Sequence, residues 1–211
     1  MAIRLGPGDI SLREFIETVG SADAAHGAVS TAAVAGGLGS SLLLKVGSLP
    51  QTRSDSVADR AKLVEAAAAL TGLRQRLLET IETETAVKLL IARNMPQANA
   101  AQRSERQAAI QLALRAAADV PREVMQLCAE GMALAATVAA HGARTASADV
   151  QLGVALLQAA FDGARSTLEG TLNSFLDAGY TASIVDEIGR LTGETTASTH
   201  AAQTSLKTPR A

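Results

Sequence analysis

This chain of 211 residues has little of what most binding chemistries need: one cysteine, three histidines, three phenylalanines, one tyrosine and no tryptophan. The lone Cys128 excludes an intrachain disulfide and leaves a cysteine-based metal site without partners. His26 and His141 stand far apart, neither with a second His or Cys at ligand spacing, so no metal is expected. Four aromatic residues give few flat surfaces for stacking bases, and a formal charge of -2 gives no field for neutralising phosphates. Nucleic acid is therefore not an expected partner. Arg4, Asp9, Arg13, Glu14 and Glu17 interrupt the first twenty residues and argue against a secretory signal, so a cytoplasmic address is expected.

What is present is Ala, Leu, Glu and Arg in abundance, with 47% of residues apolar. That composition favours helix, and the length suffices for one buried core. From Ala24 to Leu44 the chain is uncharged and rich in Gly, Ala and Ser. Small residues recur every four positions at Thr31, Ala35 and Gly39, and at Ala32, Gly36 and Ser40, which flattens helix faces for close approach. The run is about long enough to span a bilayer, but its Gly and Ser make it weakly hydrophobic, and a buried bundle helix with no membrane partner is the expectation.

Ser11-Leu12-Arg13-Glu14 has capping-box spacing and opens a short helix through Val19. A second helix is expected over 25–49, ended by Pro50, and a third over 57–94, ending before Pro96. A fourth is expected over 100–118 with Asn99 as cap, and a fifth from Pro121 to Gly142 after a break at Asp119-Val120-Pro121. A sixth opens at Ser147 and Asp149 and runs to Gly179, with a weaker helix over 182–191. The expectation is an all-α, single-domain bundle of about six or seven helices over 1–193, one of them very long, with a disordered tail over 194–211.

On the third helix Leu63, Leu70, Leu77 and Ile91 recur every seven residues, interleaved with Ala66, Leu73, Thr80 and Val87. Glu84 falls in that same seam. Its two readings are a buried carboxylate, costly unless partnered and suited to acid–base work, or a surface pair with Lys88 one turn on. Glu82 is the substitute candidate. Asp149, at a helix start, suits the helix dipole in any protein.

The order of these features resembles the formimidoyltetrahydrofolate cyclodeaminase and methenyltetrahydrofolate cyclohydrolase family over roughly 12–172. His26-Gly27-Ala28-Val29-Ser30 and Leu38-Gly39-Ser40-Ser41-Leu42 correspond to that family's glycine-rich turn and Ala/Gly helix. Glu84 falls opposite its long-helix Asp. Ile110-Gln111 with Ala113-Leu114, Val120-Pro121, and Ala148-Asp149-Val150-Gln151 follow its later motifs. The resemblance implies an all-helical homodimer acting on the N5/N10 one-carbon bridge of tetrahydrofolate or a related pterin, with no cofactor beyond that substrate. It implies Glu84 as base and cation stabiliser, Asp149 orienting water or the pterin, and His26, Gly27, Ser30 and Arg53 as substrate contacts. Departures lie at Ala28 and Val29 in place of glycines, at Thr52-Arg53-Ser54-Asp55 in place of a basic stretch, and at Thr167 and Thr171 in place of two Asn. They keep open a repurposed paralogue that uses the dimeric helical scaffold to bind another ligand or a protein.

Overall fold

The structure, a computed structural model, describes residues 11–21, 27–94 and 103–207, with the side chains of 88–94 and 103–108 excepted. Six helices follow in order: α1 Leu12–Val19, α2 Ala28–Gly47, α3 Val57–Asn94, α4 Arg103–His141, α5 Ser147–Thr171 and α6 Ala178–Lys207. Single 3₁₀ turns at Arg144–Ala146 and Leu172–Ser174 flank α5. Among the described residues there is no strand, only an isolated bridge between Thr52 and Gly142.

Helix α1 starts with the expected capping box: Glu14 N–H donates to Ser11 Oγ at 3.2 Å, and Ser11 N–H to Glu14 Oε2 at 2.6 Å. Helix α2 is the centre of the bundle, packed on α5, α3 and α4. By length and composition alone α2 and the Ala109–His141 stretch of α4 could each cross a membrane, yet more than half of each is buried by its neighbours here. Of the two small-residue rows, Ala32, Gly36 and Ser40 are all buried, while Thr31 is exposed. A Cβ on Gly36 would meet Cys128 Sγ and Leu77, and Gly37 faces Leu78. Gly47 faces Ala67 and the Leu63 carbonyl. Each step back along α2 is thus matched by an equal step forward along α3, which is antiparallel packing.

The α3 seam is buried as its heptads predict, with Leu63, Ala66, Leu70, Leu73, Leu77 and Thr80 all inside. Cys128 is buried on α4, and desolvation pushes its thiol up to about 12. The native protein is therefore expected to resist thiol alkylation and to react at one site only after denaturation; mass spectrometry with iodoacetamide reads both states.

Three expectations need correction. The chain does not break at Pro121: α4 runs through it as one helix. Proline removes one helical hydrogen bond and costs about 3 kcal/mol, but Ala118, Val120, Val124, Met125 and Leu127 are buried around it and their packing offsets that cost. The sixth helix stops at Thr171 rather than Gly179, because Asp177 Oδ1 accepts Tyr180 N–H at 3.0 Å and starts α6 there. The stretch 194–207 is not a disordered tail: α6 reaches Lys207, with Thr195 and Ala202 buried. Thr199 Oγ1 lies 3.2 Å from Met132 Sδ, and Arg53 donates to the Ser205 carbonyl at 2.7 Å. Polar threonines concealed the face that packs on α4. The proposed cap Asn99 lies outside the described residues.

Candidate active site

Antiparallel packing of α2 on α3 carries the start of α2 to the far part of α3, and there Ser30 meets Glu84. Ser30 Oγ donates to Glu84 Oε2. Ser30 is 0% exposed and Glu84 only 7% exposed, so the carboxylate sits in the core seam where its heptad position put it. Glu82, the substitute candidate, is exposed. The Lys88 side chain, needed for the surface-pair alternative, lies outside those described.

Burying a carboxylate carries a penalty of several kcal/mol after relaxation, and each hydrogen bond to the charged group returns about 1.5–3 kcal/mol against it. The dipole at the start of α2 adds about 0.3–1 kcal/mol. Leucine, which holds the preceding seam positions, would cost nothing of the kind. A carboxylate in such a seam can hold positive charge or accept a proton.

Gly27 is the extended N-cap of α2, with φ -126° and ψ -151°, and supplies no side-chain cap. Its carbonyl accepts the Thr31 hydroxyl at 2.9 Å. Val29 turns inward and is buried in the core, while Ala28 is exposed beside Gly27. His26 lies outside the described residues. On α5, Gly163 faces Ala32 of α2. The Thr167 hydroxyl donates to the Gly163 carbonyl and that of Thr171 to Leu168.

Asp149 and Arg53 are not brought to Glu84 within the chain. Lys45 Nζ lies 2.8 Å from Asp149 Oδ2, and Lys45 is fifteen residues along α2 from Ser30, roughly 22 Å at 1.5 Å per residue. Arg53 lies beyond that same end. Its guanidinium donates to the Ala139 and Ser205 carbonyls at 2.8 and 2.7 Å, beside a cavity of about 100 Å3 also lined by Arg144 and Ser147. Spacing along a sequence cannot show which end of an antiparallel pair a residue reaches.

This far end has its own polar cluster. Asp59 accepts the Ser54 hydroxyl at 2.6 Å and lies 2.8 Å from His141 Nδ1. The Ser54 hydroxyl, and after it His141, hold the Asp59 carboxyl below its ordinary range against the opposing effect of burial. A lowered folded pKa contributes stability above the ordinary value of 3.8 and loses it as pH falls through the folded value. Asp59→Asn is therefore expected to flatten the acid limb of Tm against pH.

Among the described residues Glu84 is the one buried carboxylate, and in this all-helical bundle it lies against the first turn of a small-residue helix, an arrangement that acid–base chemistry can use. Residues 11–190 match the family model described as Formiminotransferase-cyclodeaminase, and the chain belongs to that family. It is 30% identical over 173 residues to a methenyltetrahydrofolate cyclohydrolase of Methylorubrum extorquens, an alignment spanning 81% of this chain and 80% of that one. Its fold is similar to that of the formiminotetrahydrofolate cyclodeaminase of Thermotoga maritima, with a TM-score of 0.84, 16% identity, and coverage of 94% of this chain and 96% of the other.

Proposed function

We propose that this chain is a folate one-carbon enzyme that opens the methenyl bridge between N5 and N10 of tetrahydrofolate, as a cyclohydrolase. The observation that carries the reading is the buried Glu84 carboxylate at the start of α2, in a chain related to a methenyltetrahydrofolate cyclohydrolase. The bridge carbon belongs to an amidinium cation, which a carboxylate in a low-dielectric seam attracts. A water oxygen adds to that carbon while Glu84 takes the water proton. Glu84 then gives its proton to N5 as the carbon–N5 bond breaks and the electron pair stays on nitrogen. The remaining hydroxyl proton leaves to solvent as the formyl carbonyl forms on N10. No redox step occurs, and the tetrahydrofolate derivative is the substrate.

The fold match to a cyclodeaminase favours a second reading on the same residues. There N10 attacks the carbon of a formimidoyl group protonated at its imino nitrogen, Glu84 takes the N10 proton and passes it to the resulting amine, and the carbon–nitrogen bond breaks as ammonia leaves with its electron pair. A homodimer in the cytoplasm completes the proposal: Leu38 on α2 and Leu152 on α5 are both about half exposed, each next to a glycine of the α2–α5 crossing, Gly39 and Gly153, and this exposed apolar surface supports pairing with a second copy.

The test is direct. Purified protein is mixed with methenyltetrahydrofolate, whose absorbance is followed, and separately with the formimidoyl substrate, whose ammonia is assayed. Absorbance loss faster than in buffer supports the cyclohydrolase, and ammonia release the cyclodeaminase. Background rates in both assays would retire the enzyme reading and leave a repurposed helical scaffold.

A further inference from the structure

Serine at the start of α2 would ordinarily be read as a hydroxyl for the substrate, but burial argues otherwise. Ser30 is 0% exposed, whereas its partner Glu84 retains 7%. Of the two, only Glu84 offers surface that an entering molecule can touch. We propose that Ser30 is a positioning residue: it makes no contact with substrate and acts by fixing one carboxylate oxygen of Glu84 across the α2–α3 interface. The inference rests on the folate reading for the reaction it serves, and on the geometry alone for the coupling.

Three features give the pair its stiffness. Ser30 sits on α2, which packs on α5, α3 and α4, between buried Val29 and the Ala32–Ala33 pair. Glu84 sits one turn beyond Thr80, which is itself buried with its hydroxyl turned back on the Leu77 carbonyl. The bond joins residues 54 apart in sequence, so it reports the relative placement of two long helices rather than a local turn. A carboxylate on a three-torsion side chain gains a defined direction from such a bond, and near-attack geometry is sensitive to displacements on the order of 1 Å.

The experiment compares Ser30→Ala in the wild-type and Glu84→Asp backgrounds, since the shorter Asp withdraws its carboxylate from Ser30. In wild type, kcat for methenyl hydrolysis is expected to fall roughly 10- to 100-fold, with KM unchanged within about twofold. In the Glu84→Asp background the same substitution is expected to change kcat by less than about twofold. A raised KM with kcat preserved would place Ser30 on the substrate and overturn the proposal, as would equal kcat losses in both backgrounds.

A readout independent of turnover separates this inference from the folate reading. Ser30→Ala is expected to lower Tm by about 2–4 °C when residue 84 is Glu and not to lower it when residue 84 is Leu. Absent wild-type turnover together with that Tm pattern is a failure of the folate reading only. Equal Tm losses in the two backgrounds overturn the positioning role itself.

Discussion

Replacement of Glu84 by Gln is expected to lower kcat for methenyl hydrolysis by about 10²–10⁴-fold, the range that a positioned acid–base group supplies, or about 3–5 kcal/mol of barrier. The amide has nearly the same shape and its oxygen still accepts from the Ser30 hydroxyl, so the helical CD spectrum and the cooperative melt should persist. The amide cannot accept a proton from water or balance the amidinium charge. KM should change by less than the rate does, because most of the folate surface lies away from one carboxylate. A variant that retained the wild-type rate would remove Glu84 from the mechanism however well its burial is explained.

The second large effect is structural. Gly39 and Gly153 lie where α2 and α5 cross, and a Cβ on Gly39 would stand 2.7 Å from the Gly153 carbonyl and 3.1 Å from Leu157 Cγ. A backbone carbonyl cannot swing aside as a side chain can, so the helices themselves must part. Gly39→Ala is expected to cost about 1–3 kcal/mol, the usual range for overpacking a well-filled core, and at about 2–4 °C per kcal/mol for a chain of this size Tm falls by several degrees. Gly39→Val should cost more. Gly72 is the internal control, for nothing lies within 4 Å of its added Cβ on the exposed face of α3. Gly72→Ala should raise stability by about 0.4–1 kcal/mol, through the unfolded chain and helix propensity. Thermal melts of the two variants side by side separate close approach from propensity.

Much of the scaffold was legible because its signals are local or periodic. The Ser11–Glu14 capping box needs only four residues to be recognised, and the α3 bounds at Val57 and Asn94 follow from where proline and polar residues stand. The heptads of α3 put Glu84 in the seam of Leu63, Leu70 and Leu77 but left a surface pair with Lys88 open as well, and only the packing of α2 shows it buried. What the pattern could not show depends on other helices. Pro121 is a breaker by local rules, and only the core packed around it keeps α4 whole. Thr195 and Thr199 read as surface, and only α4 makes them part of an interface.

The candidate site divides along the same line. Glu84 was legible, but its bond to Ser30 requires the antiparallel register of α2 on α3, which no spacing within either helix contains. Asp149 and Arg53 join Glu84 in the order of the family's motifs, yet in space they occupy the other end of α2, held by Lys45 and by main-chain carbonyls. Motif order lists the residues that recur; helix direction decides which of them meet.

Whether the one-carbon bridge is opened at Glu84 is read from a crystal structure of the Glu84→Gln protein with methenyltetrahydrofolate bound. The methenyl carbon is expected within about 3–4 Å of the substituted side chain at position 84, close enough for a bridging water or direct charge contact, at the start of α2. A ligand seated instead at the Arg53 and Asp149 end of the same chain, with Ser30 and the amide it bonds left untouched, would contradict opening at Glu84.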